Sequence, residues 1–453
     1  MGAEAQLQAG AAAVNITPPL GTVINGNFRP VIAENVHDEL HARAIALRSG
    51  AETIAFVVVD NCVVPREVFD QAKALIQQEV QLEPERVMMA STHSHSCGSV
   101  QEAYLTPESP EYKARLPRYL ADAVRRAIRN LAPAEVAHGR GSLPGQVFCR
   151  RWYVREGAPA PNPFGGNDRV KMNPGVGHAD LVKPAGPVDP EVQFLAVRHA
   201  DGRPLALLAN YSLHYVGGVG GGDLSADYFG AFADRIQELL KADRQSPPFV
   251  GILSNGTSGD INNINWKGPD ERLKGSYAQI AHVSDELARE VKRVWDGLVW
   301  KKEAALGVAS KELELATRKP SPEEVDKARG MVGEKPTMLL KTPAEIYARE
   351  QVLLAAYPDR IQMPLTAFRI GDFAVAAWPN EVFASSGLAL KEASPVKPLF
   401  VMSLGNGWFG YLPPAEQHKL GGYETWRSRT SYLEVEAESK IREGFLQVLS
   451  RLR

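Results

Sequence analysis

The chain has 453 residues, with 51 Lys plus Arg against 53 Asp plus Glu and a net charge of -2. Apolar residues make up 44% and charged residues 23%, which excludes wholesale disorder and collagen-like structure, and the near-neutral balance offers no broad attraction for nucleic acid or an anionic membrane. The three cysteines, Cys62, Cys97 and Cys149, cannot build a disulfide framework or a CxxC metal knot.

The opening MGAEAQLQAGAAAVNITPP lacks the charged and apolar regions of a signal peptide. Residues 1–9 are expected to form a disordered leader or an added extension, and residues 10–453 a single domain. No apolar run approaches the roughly 20 residues that span a bilayer. In chain order, short apolar runs read as buried strands: Thr53–Val59, Val87–Ala90, Leu205–Ala209, Phe249–Leu253, Phe373–Trp378 and Pro398–Ser403. Segments of helical period fall between and after them: Val68–Val80, Pro117–Asn130, Phe229–Leu240, Ile280–Trp295 and Glu436–Leu452. The alternation predicts an α/β fold. Glu323–Arg349 is charged and helical, and reads as a solvated helix pair on the surface.

A polar cluster follows each apolar run. Asp60-Asn61 follows the first, Ser91 to His95 the second, and Asn210 to His214 the third. Ser254 to Asp260 follows the fourth, Asn380-Glu381 the fifth, and Asn406 to Tyr411 the last. Ligands and catalytic groups gather at the carboxyl ends of strands in α/β folds, so six such ends point to one shared site. His93 and His95 are the sharpest local feature. In extended chain, residues i and i+2 face the same side, so both imidazoles could meet one metal, or one could bind it while the other moves protons. A hydrogen-bonded pair near a turn is the bland alternative.

His37 and His41 precede a strand and read as structural or as supports behind a site, and His138, His178, His199, His282 and His418 carry no supporting pattern. Cys97 beside His95 reads as a packing residue before a nucleophile. The Gly217–Gly222 run is not a phosphate loop. Arg150-Arg151-Trp152-Tyr153 could grip a carboxylate, carbonyl or sugar, or form a surface ion-pair cluster.

These motifs together resemble the neutral/alkaline (non-lysosomal) ceramidase family. The opening Gly10–Pro18 is similar to its first strand, and Val36–Ala44 to its H-x-x-L-x-A-R-A segment. Thr92-His-Ser-His-Ser96 resembles T-H-T-H-S, and Asn255–Asn262 resembles N-x-x-G-D-V-S-P-N. Asn380–Phe383 resembles G-E-F, Asn406–Tyr411 resembles N-x-Y-x-x-Y, and Gly422–Glu424 resembles R-Y-E. The order holds over nearly the whole chain, for the catalytic domain without the Ig-like C-terminal domain.

The resemblance implies one large domain of mixed β-sheets covered by helices. It implies one Zn2+ held by His93, His214, Glu381 and Tyr411, with His95, Tyr423 and Arg150 polarising the scissile carbonyl or handling protons. Asp260 is left to orient a ligand or a substrate group. The expected activity is zinc-dependent hydrolysis of an amide, such as a ceramide-like N-acyl bond. The expected partner is a lipid or small-molecule substrate, in a secreted or periplasmic protein. Four departures surround the expected pocket: Asn262 for a Ser, Cys97 for a Gly, Trp408 for a Tyr, and Pro413-Pro414 for T-T. They leave open a small polar substrate, such as an acylated or glycosidic sugar, with Trp152, Trp378 and Trp408 as stacking candidates. A non-catalytic binding module is the third reading.

Overall fold

The computed structural model describes residues 6–244 and 246–453. An eight-stranded sheet contains β1 (Gln8–Asn15), β2 (His41–Ser49), β3 (Glu52–Val59), β4 (Val87–Ser91), β5 (Ala132–Ser142), β6 (Glu191–His199), β7 (Pro204–Tyr211) and β8 (Val250–Asn255). Its spatial order is β8-β7-β6-β5-β1-β2-β3-β4. A second sheet runs β9 (Leu306–Ala316), β10 (Arg360–Ile370), β11 (Phe373–Trp378) and β12 (Leu399–Ser403), in that order.

The two sheets bury their apolar faces against each other. Phe56, Val58 and Met88 of the first share a core with Phe368, Val375 and Met402 of the second, and the rings of Phe56 and Phe368 meet edge to face at 5.3 Å. Helices cover the outer faces. On the first sheet these are α1 (Arg66–Val80), α2 (Pro110–Arg129), α3 (Asp227–Leu239) and α4 (Ala278–Trp295). The second sheet is covered by the C-terminal helix Ala437–Ser450, through Ile441, Phe445 and Val448. The α/β expectation with mixed sheets and covering helices is therefore met.

Within these two sheets most strand pairs are antiparallel, but three are parallel: β3 with β4, β7 with β8, and β11 with β12. A helix lies between the members of each pair in sequence. These are α1, α3 and Ala384–Ala393 respectively. A parallel pair needs such a crossover, and its strands are buried on both faces. That is why these strands stand out in the sequence as short, uninterrupted apolar runs. The three units bring their carboxyl ends to one place, and the polar clusters follow there.

The structure changes several boundaries. Strand β1 starts at Gln8, and buried Leu7 bonds its N–H to the Lys302 carbonyl. Ordered chain thus begins ahead of the expected Gly10, while residues 1–5 lie outside the described residues. Helix α2 begins at Pro110, not Pro117. Both prolines could serve as a first helical residue, and burial of Tyr112 and Leu116 draws the extra turns into the helix. The 323–349 region is a helix pair, α5 (Pro322–Val332) and α6 (Pro343–Leu354). It is not merely solvated, because α6 buries Ile346, Tyr347, Arg349 and Glu350.

Candidate active site

His93 leaves the end of β4 with φ +76°, a left-handed conformation that is unfavourable for a residue with a Cβ. Backbone bonds hold it there: Thr92 N–H donates to Val59 O at 3.0 Å, and His93 N–H to Asn61 O at 2.9 Å. The His93 and His95 rings therefore converge through this bend, edge to face at 4.7 Å, and not through strand alternation. His214 follows β7. Glu381 follows β11 and lies abreast of Tyr411 in a short parallel pairing.

The histidine tautomers follow from their partners. His93 Nδ1 lies 2.7 Å from the Cys62 carbonyl, and His214 Nδ1 lies 3.1 Å from the Ser258 carbonyl. A carbonyl only accepts, so both Nδ1 atoms carry hydrogen, and the two Nε2 atoms are the ones turned toward the cluster. Those two Nε2 atoms are 2.9 Å apart. His95 Nε2 lies 3.2 Å from His93 Nε2, and Glu381 Oε2 lies 3.2 Å from the same nitrogen. Glu381 Oε2 is buried without a hydrogen-bond donor. Imidazole nitrogens and a carboxylate facing one another in a buried space call for a positive charge among them, which a proton on His93 or a metal ion can supply.

The protein charges alone show the same demand. Burial acts to lower the His93 pKa, but Glu381 and then Cys62 overturn it and lift it to about 10. His95 and His214 are held well below the usual histidine range, by burial first and then by His93 and Arg150. Burial raises the Glu381 pKa, yet His93 and Tyr411 bring it below the ordinary value. The donor atoms of His93, His214 and Glu381 lie within 4.8 Å of one another, and so do those of Cys62, His93 and His95. Two imidazole nitrogens and a carboxylate suit a divalent metal of the zinc type, so the residues fit the implied ion.

Tyr411, Tyr423 and Arg150 border this cluster. Tyr423 donates its O–H to the Tyr411 oxygen at 2.9 Å, and an Arg150 Nη donates to the same oxygen at 3.2 Å. Burial pushes both phenols well above their usual pKa. Glu381 adds to this for Tyr411, and Tyr411 adds to it for Tyr423. A Tyr411 phenolate therefore needs a cation beside it. Arg150 is held from behind by the Gly259 carbonyl at 2.7 Å and by Glu424 at 3.1 Å.

The pocket over the cluster has a volume of about 60 Å3 and is lined by Asn25 to Phe28, Cys62, Tyr104, Trp408 and Tyr423, among others. Gly26 lies so close to His95 that a Cβ there would sit 2.5 Å from the imidazole. Tyr215 stacks on the His95 ring at 3.8 Å. Tyr347 of α6 reaches the Tyr104 hydroxyl at 3.2 Å, which ties the helix pair to the pocket wall. A larger cleft of about 860 Å3 shares no lining residue with this pocket. There Lys391 is already paired with Asp189 and Glu191.

Seven of the eight expected site residues meet here: His93, His95, His214, Glu381, Tyr411, Tyr423 and Arg150. Asp260, expected to orient a ligand or a substrate group, lies behind them. Its Oδ1 accepts from Ala384 N–H at 2.8 Å, and its carbonyl accepts from Arg150 N–H at 2.8 Å. It braces the wall, and burial pushes its carboxyl up to about 6. Asn262 faces Asn173. Cys97 is buried against the Ser225 carbonyl with its thiol pKa raised by burial, as a packing residue would be. Trp378 lies in the core against Phe445, and Arg151 is fully buried on Glu424, so neither faces a ligand. Two contributors are not among the expected site residues. Cys62 offers its carbonyl to His93, and Glu424 holds both arginines across more than 270 residues of chain.

No family model matches the sequence, and no curated protein does. Solved structures do match. Neutral ceramidase from Pseudomonas aeruginosa superposes with a TM-score of 0.73 at 15% identity, covering 99% of this chain and 74% of that one. The fold is that of neutral ceramidase. A structure described as a ceramidase complexed with C2 gives a TM-score of 0.72, again at 15% identity, over 99% of this chain and 75% of its own. At this identity the likeness speaks for the ceramidase fold alone.

Proposed function

We propose that this chain is a zinc-dependent hydrolase that cleaves an amide, with His93, His214, Glu381 and Tyr411 holding one zinc ion. The observation that carries the reading is the opposed pair of imidazole Nε2 atoms, 2.9 Å apart beside a buried carboxylate oxygen with no assigned hydrogen-bond partner. Such an arrangement calls for a positive charge, and three donor atoms within 4.8 Å of one another suit a divalent metal ion in that place. Zinc supplies Lewis-acid activation of a water and of the scissile carbonyl.

The surrounding side chains match the needs of amide hydrolysis. Arg150, fixed by Glu424 and Gly259, and the Tyr423 hydroxyl can hold the carbonyl oxygen as it gains charge. Such a donor contributes about 3 kcal/mol of barrier lowering. His95 stays neutral at neutral pH and points Nε2 into the cluster. It can take a proton from water and return it to the leaving nitrogen.

The narrow pocket favours a second reading of the substrate. A volume of about 60 Å3 leaves room over the cluster for only about four to six waters, which suits a short acyl group or a small polar substrate lying wholly within it. Mass spectrometry of products tests both readings. Zinc-loaded protein and its His93→Ala variant are incubated with long-chain and short-chain N-acylsphingosines and with acylated sugars. Fatty acid and sphingosine from the zinc-loaded protein alone support the amidase. Release of sugar acyl groups alone moves the substrate to the polar class. No product from any of them contradicts the hydrolase.

A further inference from the structure

A carboxylate has two equivalent oxygens and can present either one to a metal. In Glu381 they are made unequal. Oε1 accepts the indole N–H of Trp408 at 3.1 Å, and Oε2 is left without a donor, 3.2 Å from His93 Nε2. We infer that Trp408 is a positioning residue that commits Glu381 to offer Oε2, and only Oε2, to the metal.

The loop that carries Trp408 is built for placement. Asn406 N–H donates to the Met89 carbonyl, and Asn406 Oδ1 accepts from Met89 N–H at 3.1 Å. The same Oδ1 accepts from the buried Lys73 ammonium at 2.9 Å. Met89 belongs to β4, the strand that leads to His93. On the other side, Gly405 N–H donates to Trp378 O at 3.1 Å and Phe409 N–H to Pro379 O at 2.9 Å. Those carbonyls immediately precede Glu381. The loop is thus pinned both to the strand of His93 and to the strand of Glu381. Asn406 with φ +61° and Gly407 with φ +148° make the bend that turns Trp408 inward. Outer partners of ligating carboxylates set metal affinity as well as geometry.

The inference rests on the zinc reading above, and its test reads metal affinity instead of turnover. Zinc affinity of the full chain is measured by competition with a chromophoric chelator. Three forms are compared: the wild type, Trp408→Phe, and a chain with benzothienylalanine at position 408. The last keeps the bicyclic ring and lacks the N–H, so packing is preserved if Trp408→Phe folds poorly. We expect zinc to bind about 10- to 100-fold more weakly in both. Affinity within about twofold of wild type in the benzothienylalanine chain overturns the positioning role and leaves the zinc reading intact. A wild type that binds no zinc overturns both.

Discussion

Arg150 and Glu424 form a fully buried ion pair, Nε to Oε1 at 3.1 Å, and the other Glu424 oxygen takes Arg151 at 2.6 Å. One carboxylate thus compensates two buried guanidiniums, one of which reaches the Tyr411 oxygen in the candidate site. Removing one member of a buried ionic group leaves the others uncompensated. Glu424→Gln should lower stability by about 3–5 kcal/mol, measured by urea unfolding. A loss under about 1 kcal/mol would mean that the arginines have another counter-charge.

Arg150 should contribute to turnover without contributing to metal binding. Its planar fork spans Glu424, Gly259 and Tyr411, a geometry that lysine does not reproduce. Arg150→Lys should lower kcat by about 100- to 1,000-fold while bound zinc stays at one per chain. Loss of zinc in this variant would assign Arg150 to holding the site together instead.

Much of this was legible in the sequence, and the reasons are physical. The strands of the three parallel pairs are buried on both faces, so β3, β4, β7, β8, β11 and β12 appear as plain apolar runs, and the residues after them are the site. The long antiparallel strands were harder to read. In β5, Gly139 and Gly141 interrupt any strand pattern, yet they are there because Phe194 and Glu290 fill the space of a Cβ. In β9, Lys311-Glu-Leu-Glu-Leu315 favours helix on local propensity, and pairing with β10 overrides it. Within the site, a left-handed His93, the Glu424 clamp and the Trp408 bond depend on contacts between distant segments, which leave no local pattern.

Tyr411 provides a spectroscopic test of the ligand set. Burial and Glu381 hold its phenol protonated, so a phenolate forms only with a cation beside it. Zinc loading at neutral pH should produce a near-ultraviolet phenolate difference band. Tyr411→Phe should abolish the band and weaken zinc binding, whereas Tyr423→Phe should keep it. A band that survives in Tyr411→Phe would remove Tyr411 from the ligands.

Asp260 sets a pH dependence of stability. Burial raises its folded pKa from 3.8 to about 6, so the native state binds this proton more tightly than the unfolded chain does. Its contribution is full below about pH 4 and is lost as pH rises through about 6. Asparagine keeps the acceptor for Ala384 N–H and cannot ionise. The stability of Asp260→Asn relative to wild type should therefore rise by about 2 kcal/mol between about pH 4 and pH 7, read from urea midpoints. A difference that does not change with pH would contradict the assignment.

The most direct test of the account is a zinc titration by calorimetry of the wild type beside His93→Ala, His214→Ala and His95→Ala. One zinc per chain is predicted for the wild type and for His95→Ala, and none for His93→Ala or His214→Ala. A wild type that takes up no zinc would contradict the central claim, and zinc lost in His95→Ala but kept in His214→Ala would place the metal at the other histidine pair.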